Sequence, residues 1–141
     1  MFGETDLKKI LETLEPRLNE GEFAFCPVES LEKVLAMVNL EQILFFFKEG
    51  EAYTIIIEKR LADTCKLSYT YVASWITLIV HSSLESVGLT AMFSVALANE
   101  GISCNVVAAT FHDHIFVRVQ DAHRAMKVLN DLSKSSRRNH V

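Results

Sequence analysis

The sequence predicts an α+β protein of two tandem units, on three observations. Residues 22–58 run strand, helix, hairpin, and residues 69–119 repeat that order. Within each stretch the apolar spacing switches between alternation and i, i+3, i+4 steps. The longest apolar runs, residues 43–47 and 75–80, have the length of strands and fall far short of the roughly 20 residues that span a bilayer.

Each element has its own signal. Leu7, Ile10, Leu11 and Leu14 lie at i, i+3, i+4 and i+7, with Thr5 or Asp6 as N-cap and Pro16 barring continuation, so residues 5–14 read as a short helix. Residues 22–28 alternate around Phe23 and Phe25 as a strand. Leu31, Val34, Leu35 and Val38 then take helical spacing behind Ser30 as cap. Residues 42–47 and 52–58 are β-rich and joined by Lys48-Glu49-Gly50-Glu51, where Gly50 is expected to supply a hairpin's positive φ. Residues 59–67 are weakly helical and connect the halves.

The second half opens with a long strand at residues 69–80, apolar on both faces. Leu89, Met92, Phe93, Ala96 and Leu97 define the clearest helix, and Gly101 stands where a left-handed residue would end it. Residues 104–111 and 114–119 pair as strands turning near His112-Asp113, before Asp121 caps a helix bearing Ala122, Ala125, Met126, Leu129 and Leu132. The expected division is a first unit at residues 1–66 with an extra N-terminal helix, a second at 67–133, and a flexible tail at 134–141.

Composition narrows the function. The chain has 141 residues, half of them apolar, and a net charge of −4. Positive charge gathers only at Lys134, Arg137 and Arg138, which leaves no footprint for nucleic acid. No basic segment followed by an apolar one opens the chain, so a cytoplasmic address without membrane contact is expected. Cys26, Cys65 and Cys104 are odd in number and lack CxxC spacing, against both a disulfide framework and a zinc cluster.

Polar residues concentrate at His81-Ser82-Ser83-Leu84-Glu85-Ser86-Val87-Gly88, between the long strand and the clearest helix. Backbone N–H groups at a helix start suit a carboxylate, Gly88 permits close backbone approach, and Glu85 or carbonyls can meet an amino group. The same residues equally serve structure, with Ser82 or Ser83 capping the helix and Gly88 easing its packing. Asn105 opens the next strand and, if buried, needs a partner from backbone or ligand. His112-Asp113-His114 has two imidazoles at i, i+2 and invites a metal, with His81 or Glu85 as third ligand; turn chemistry is the competing role. No nucleophile elbow, Walker A loop or G-x-G-x-x-G is present.

Residues 75–91, followed by Gly101-Ile102-Ser103-Cys104-Asn105-Val106-Val107-Ala108, resemble the ACT domain family, and in particular small bacterial tandem-ACT proteins in which the turn His112-Asp113-His114-Ile115-Phe116-Val117 recurs. The resemblance implies a duplicated ferredoxin-like βαββαβ fold with antiparallel sheets. It also implies regulatory binding of amino acids or other small metabolites without catalysis and without a cofactor or metal. By motif, the ligand-binding positions are Ser82, Ser83, Leu84, Glu85, Ser86, Val87, Gly88, Leu89, Ile102, Asn105 and Val106, with His81, His112, Asp113 and His114 accessory. The Pro-Gly of many such loops is Val87-Gly88 here, and residues 26–31 of the first half lack the glycine.

The reading is thus a non-enzymatic, homodimeric small-molecule sensor, its ligand an amino acid and any regulated enzyme a separate protein. Two alternatives remain: an interaction module that has lost its ligand and pairs through a sheet edge or the Phe45-Phe46-Phe47 region, and a metal-dependent enzyme using the His112-Asp113-His114 turn.

Overall fold

A computed structural model describes residues 7–80 and 84–138. In chain order the elements are α1 (Leu7–Thr13), β1 (Glu15–Leu18), β2 (Phe23–Val28), α2 (Leu31–Leu35), β3 (Ile43–Lys48), β4 (Tyr53–Glu58), α3 (Lys59–Thr64), β5 (Tyr71–Ile79), α4 (Leu89–Asn99), β6 (Asn105–Ala108), β7 (Asp113–Arg118) and α5 (Ala122–Arg138). They form two compact units, Gly21–Ala73 and Met1–Glu20 with Ser74–Val141.

The Gly21–Ala73 unit is a βαββα set that runs on into the first three residues of β5. Its strands lie in the order β3, β4, β2, β5, and each neighbouring pair is antiparallel. Alternation sends Ala24, Cys26 and Val28 of β2 and Ile55 and Ile57 of β4 to one face, where they pack with Val34, Val38 and Ala62. Ser30 caps α2 as expected, its Oγ accepting from the Lys33 N–H at 3.2 Å. The β3–β4 hairpin forms, but Gly50 is not among the glycines with positive φ, so the four-residue turn does not need its conformational freedom.

The other unit takes its strands in the order β1, β5, β7, β6. β1 runs antiparallel to β5 from Glu15 opposite Ile79 to Leu18 opposite Ile76. The sequence reading ended the first helix at Leu14, with Pro16 barring continuation, and missed this strand. A four-residue strand gives almost no periodic signal, and proline is tolerated there because β1 lies at the edge of the order. β1 lies in the same compact unit as residues 76–79 of β5, with which it pairs.

Ile76, Leu78 and Val80 face α1, α4 and α5, where Phe93, Leu97, Leu129, Ile10 and Leu11 close the core with Ile115 and Val117 of β7. Trp75 and Thr77 take the opposite face by alternation. The repeat shows in burial too: β4 and β7 each run from two half-buried residues through three buried ones to one exposed. α5 continues to Arg138, so residues 134–138 are helical rather than frayed. Asp121 is buried, and its carboxylate accepts from Arg118 Nε at 2.9 Å and from a terminal guanidinium nitrogen of Arg124 at 3.2 Å.

Candidate functional site

The segments entering α4 and α2 differ. Between β2 and α2 stand only Glu29 and Ser30, and the Ser30 hydroxyl is used in capping. The connection from β5 to α4 is much longer and ends at Gly88, the N-cap of α4, with φ 100° and no side-chain cap. The N-cap position of α4 is therefore Gly88, and the expected capping by Ser82 or Ser83 falls outside the described residues. The left-handed backbone at Gly88 favours glycine, and an added Cβ would stand 3.2 Å from Cδ2 of Leu7, which would have to give by a few tenths of an ångström.

Facing this loop is the turn between β6 and β7. It is closed by the Ala109 N–H donating to the His112 carbonyl at 3.1 Å, and Ala108 pairs with Asp113 in the ladder. The turn thus spans residues 109–112, slightly earlier than expected, and Asp113 already belongs to β7. Between loop and turn lies a pocket of about 70 Å³. Leu84, Ser86, Leu89 and Thr90 form one wall, and the stretch from Ala108 to Asp113 forms the other. One water needs about 10–15 Å³ by the same measure, so the pocket suits a ligand of several heavy atoms.

The residues chosen from sequence separate into groups. Leu84, Ser86, Leu89, His112 and Asp113 line the pocket. Glu85 and Val87 are exposed and outside its lining. Ile102 belongs to the core: its N–H donates to the Leu97 carbonyl at 3.0 Å, completing the turn at Gly101 (φ 70°) that ends α4. Val106 packs against the same core, and Asn105 is exposed at the start of β6, so no buried amide demands a partner. His81, Ser82 and Ser83 lie outside the described residues. Sequence reasoning missed Thr90 and residues 108–111. The only available signal was the turn itself, which has neither glycine nor proline to mark it.

The pocket's electrostatics centre on the turn. Burial holds the Asp113 carboxyl above the usual carboxylate range, and the neighbouring His112 opposes that shift. His112 Nδ1 is buried without a hydrogen-bond partner among the described residues. The thiols of Cys26 and Cys104 are pushed up to about 11, chiefly by burial, which makes them poor nucleophiles.

His114 points elsewhere. Its Nδ1 accepts from Trp75 Nε1 at 3.0 Å and lies 3.3 Å from the Thr77 hydroxyl, which in turn accepts from Asn19 Nδ2 at 3.0 Å. Since Trp75 can only donate, Nδ1 must carry a lone pair, and the proton of the neutral ring sits on Nε2. Burial, then His112, lowers the His114 pKa below 6.5. Between that lowered value and 6.5 the unfolded chain binds more protons, so stability falls as pH drops through the window and is fully present above it. We expect the urea midpoint to fall and the emission of Trp75, the sole tryptophan, to change between pH 7 and 5, both changes being smaller in His114→Gln. Equal pH dependence in the two proteins would refute the assignment.

The metal reading of this turn loses its geometry, since His114 Nδ1 is committed to Trp75. Among the described residues no three of His, Cys, Asp and Glu come together to hold an ion. Among them too, no helix is long and apolar enough to cross a membrane.

Two βαββα units, one with a pocket between the loop that starts its first helix and the turn of its hairpin, define the class of small ligand-binding regulatory modules. The chain belongs to the ACT domain family, which matches residues 2–74 and again residues 71–131. It is 37% identical to a Vibrio cholerae protein of unknown function, described as a possible transport protein, over 93% of this chain and 98% of that one, with a TM-score of 0.80. The fold also matches the regulatory subunit of aspartate kinase from Thermus flavus (TM-score 0.58, 9% identity, 84% of this chain and 95% of that one). It matches Clostridium acetobutylicum aspartate kinase as well (TM-score 0.61, 10% identity, 86% of this chain), and there it spans 34% of the enzyme. No curated protein matches.

Proposed function

We propose that the protein is a non-catalytic regulatory sensor of a small amino acid, bound in the pocket between the α4 entry loop and the turn before β7. The observation that carries this reading is the meeting of Leu84, Ser86 and Leu89, in the loop singled out by sequence, with His112 and Asp113 around one small polar-edged cavity. Ser82, Ser83, Glu85, Val87, Gly88, Ile102, Asn105 and Val106 stay in the proposal as the family motif, Gly88 by shaping the loop and Ile102 and Val106 by supporting it from the core. The sensor acts in the cytoplasm as a homodimer and regulates a separate enzyme.

A thermal-shift panel of free amino acids tests the proposal. A ligand present at 100 times its dissociation constant adds about 2.7 kcal/mol to stability. Glycine, alanine, serine and threonine are the first candidates on grounds of size. Silence across the amino acids, purines and common organic acids would reject sensing.

A second reading is supported by exposed apolar side chains. Phe46 and Phe47 stand out on β3, at the end of its unit's strand order, and Leu84, Val87 and Phe111 are exposed around the pocket. An ACT module that binds a partner protein through such a surface would retain a stoichiometric partner on purification and leave the amino-acid panel silent.

A further inference from the structure

Among the described residues, Asp113 is the one carboxylate lining the pocket, and no lysine or arginine lines it. The side chain is half-buried and has no ion pair or hydrogen bond among the described residues. A half-buried carboxylate whose neighbouring charged group is a single imidazole is costly to keep ionised, and a cation from outside the chain would offset that cost. Its position is also fixed. Asp113 is the first residue of β7, held opposite Ala108 in the ladder and just beyond the hydrogen bond that closes the turn. Beside it stands His112, whose Nδ1 is a second polar atom without a partner among the described residues. Thr90, in the first turn of α4, lines the facing wall.

We propose that Asp113 is the ammonium-binding residue of the pocket, so that the ligand must carry a primary amino group and seats it at the start of β7, with its carboxylate toward the α4 wall. This rests on the reading of the pocket as the ligand site, and it moves the amine partner from the exposed Glu85 to Asp113. A volume of about 70 Å³ accommodates a zwitterion with a short side chain. The ring of His112 flanks the same end and selects against bulk on the amine.

Calorimetry on the full chain tests the assignment. The probes are glycine, L-alanine and L-serine, their des-amino counterparts acetate, propionate and 3-hydroxypropionate, and ethanolamine as the amine without the carboxylate. Wild-type protein should bind at least one zwitterion and hold its des-amino counterpart at least tenfold more weakly. Asp113→Asn should weaken that zwitterion by about ten- to a hundredfold, the range expected for a hydrogen bond to a charged group. The variant should fold, because it removes a desolvated charge and keeps the shape, and its urea midpoint checks this directly.

Amide chemical shifts separate the two layers of the argument. Shifts at residues 84–90 and 108–113 with acids and zwitterions binding alike, or with Asp113→Asn binding as wild type does, would overturn the role of Asp113 and leave the pocket standing. Zwitterion binding that moves amides only elsewhere would overturn both. No binding by any of the seven probes also rejects the assignment, and the wider thermal-shift panel then decides whether the pocket is a site at all.

Discussion

Replacing Phe93 with alanine should cost about 3–5 kcal/mol, more than any other single truncation on α4. The ring is fully buried in the core that also holds Ile76, Leu78, Leu97, Ile115 and Leu129. A phenyl-sized void there loses both transfer energy and contacts, because the elements around it belong to a sheet and three helices that cannot all collapse inward. Against a typical total of 5–15 kcal/mol this is a large share. The urea midpoint should fall steeply with the slope nearly unchanged. Met92→Ala, one position away but 40% exposed, is the control and should shift it much less. If the two variants behaved alike, the orientation assigned to α4 would be wrong.

The second large effect concerns Asp121. Its side chain is only 4% exposed, while Arg118 and Arg124, which share its two oxygens, are about half exposed. Arg124 also donates to the carbonyl of Glu100, tying the start of α5 to the end of α4. Removing both guanidinium groups strands a buried charge, whereas removing the acid leaves two cations that water can reach. Arg118→Ala with Arg124→Ala should therefore cost about 3 kcal/mol, toward the lower end for a broken buried pair because both arginines are partly solvated. Asp121→Asn should cost clearly less. A double variant as stable as the wild type would show that the carboxylate needs no counter-charge.

Most of the fold was legible because its signals are local. Leu89, Phe93 and Leu97 mark one helix face, Ser30 caps where it stands, and Gly101 ends α4 in the conformation its position required. β1 was illegible because four residues including a proline mean nothing until β5 offers them a partner. The candidate site divides in the same way. The α4 entry loop drew notice by composition, and Leu84, Ser86 and Leu89 do line the pocket. Its second wall arrives through the pairing of β6 with β7, a tertiary event that turns Asp113 from a turn residue into a strand residue facing the loop. Spacing likewise located Ile102 along the chain without saying that its side chain joins the core. His114 was grouped with His112 as a metal pair, and only coordinates could show its lone pair given to Trp75.

The edge position of β1 has a kinetic corollary. Every strand pairing of the Gly21–Ala73 unit can form from contiguous chain, but Glu15 reaches Ile79 only by closing a loop that contains that entire unit. Such a closure is entropically slow, which orders assembly: the inner unit condenses first and the flanking one is sealed last. Dissection should respect that order. A fragment cut at residue 66 would carry β1 with no β5 to receive it, and the remainder would present the bare edge of β5 to other molecules, inviting aggregation.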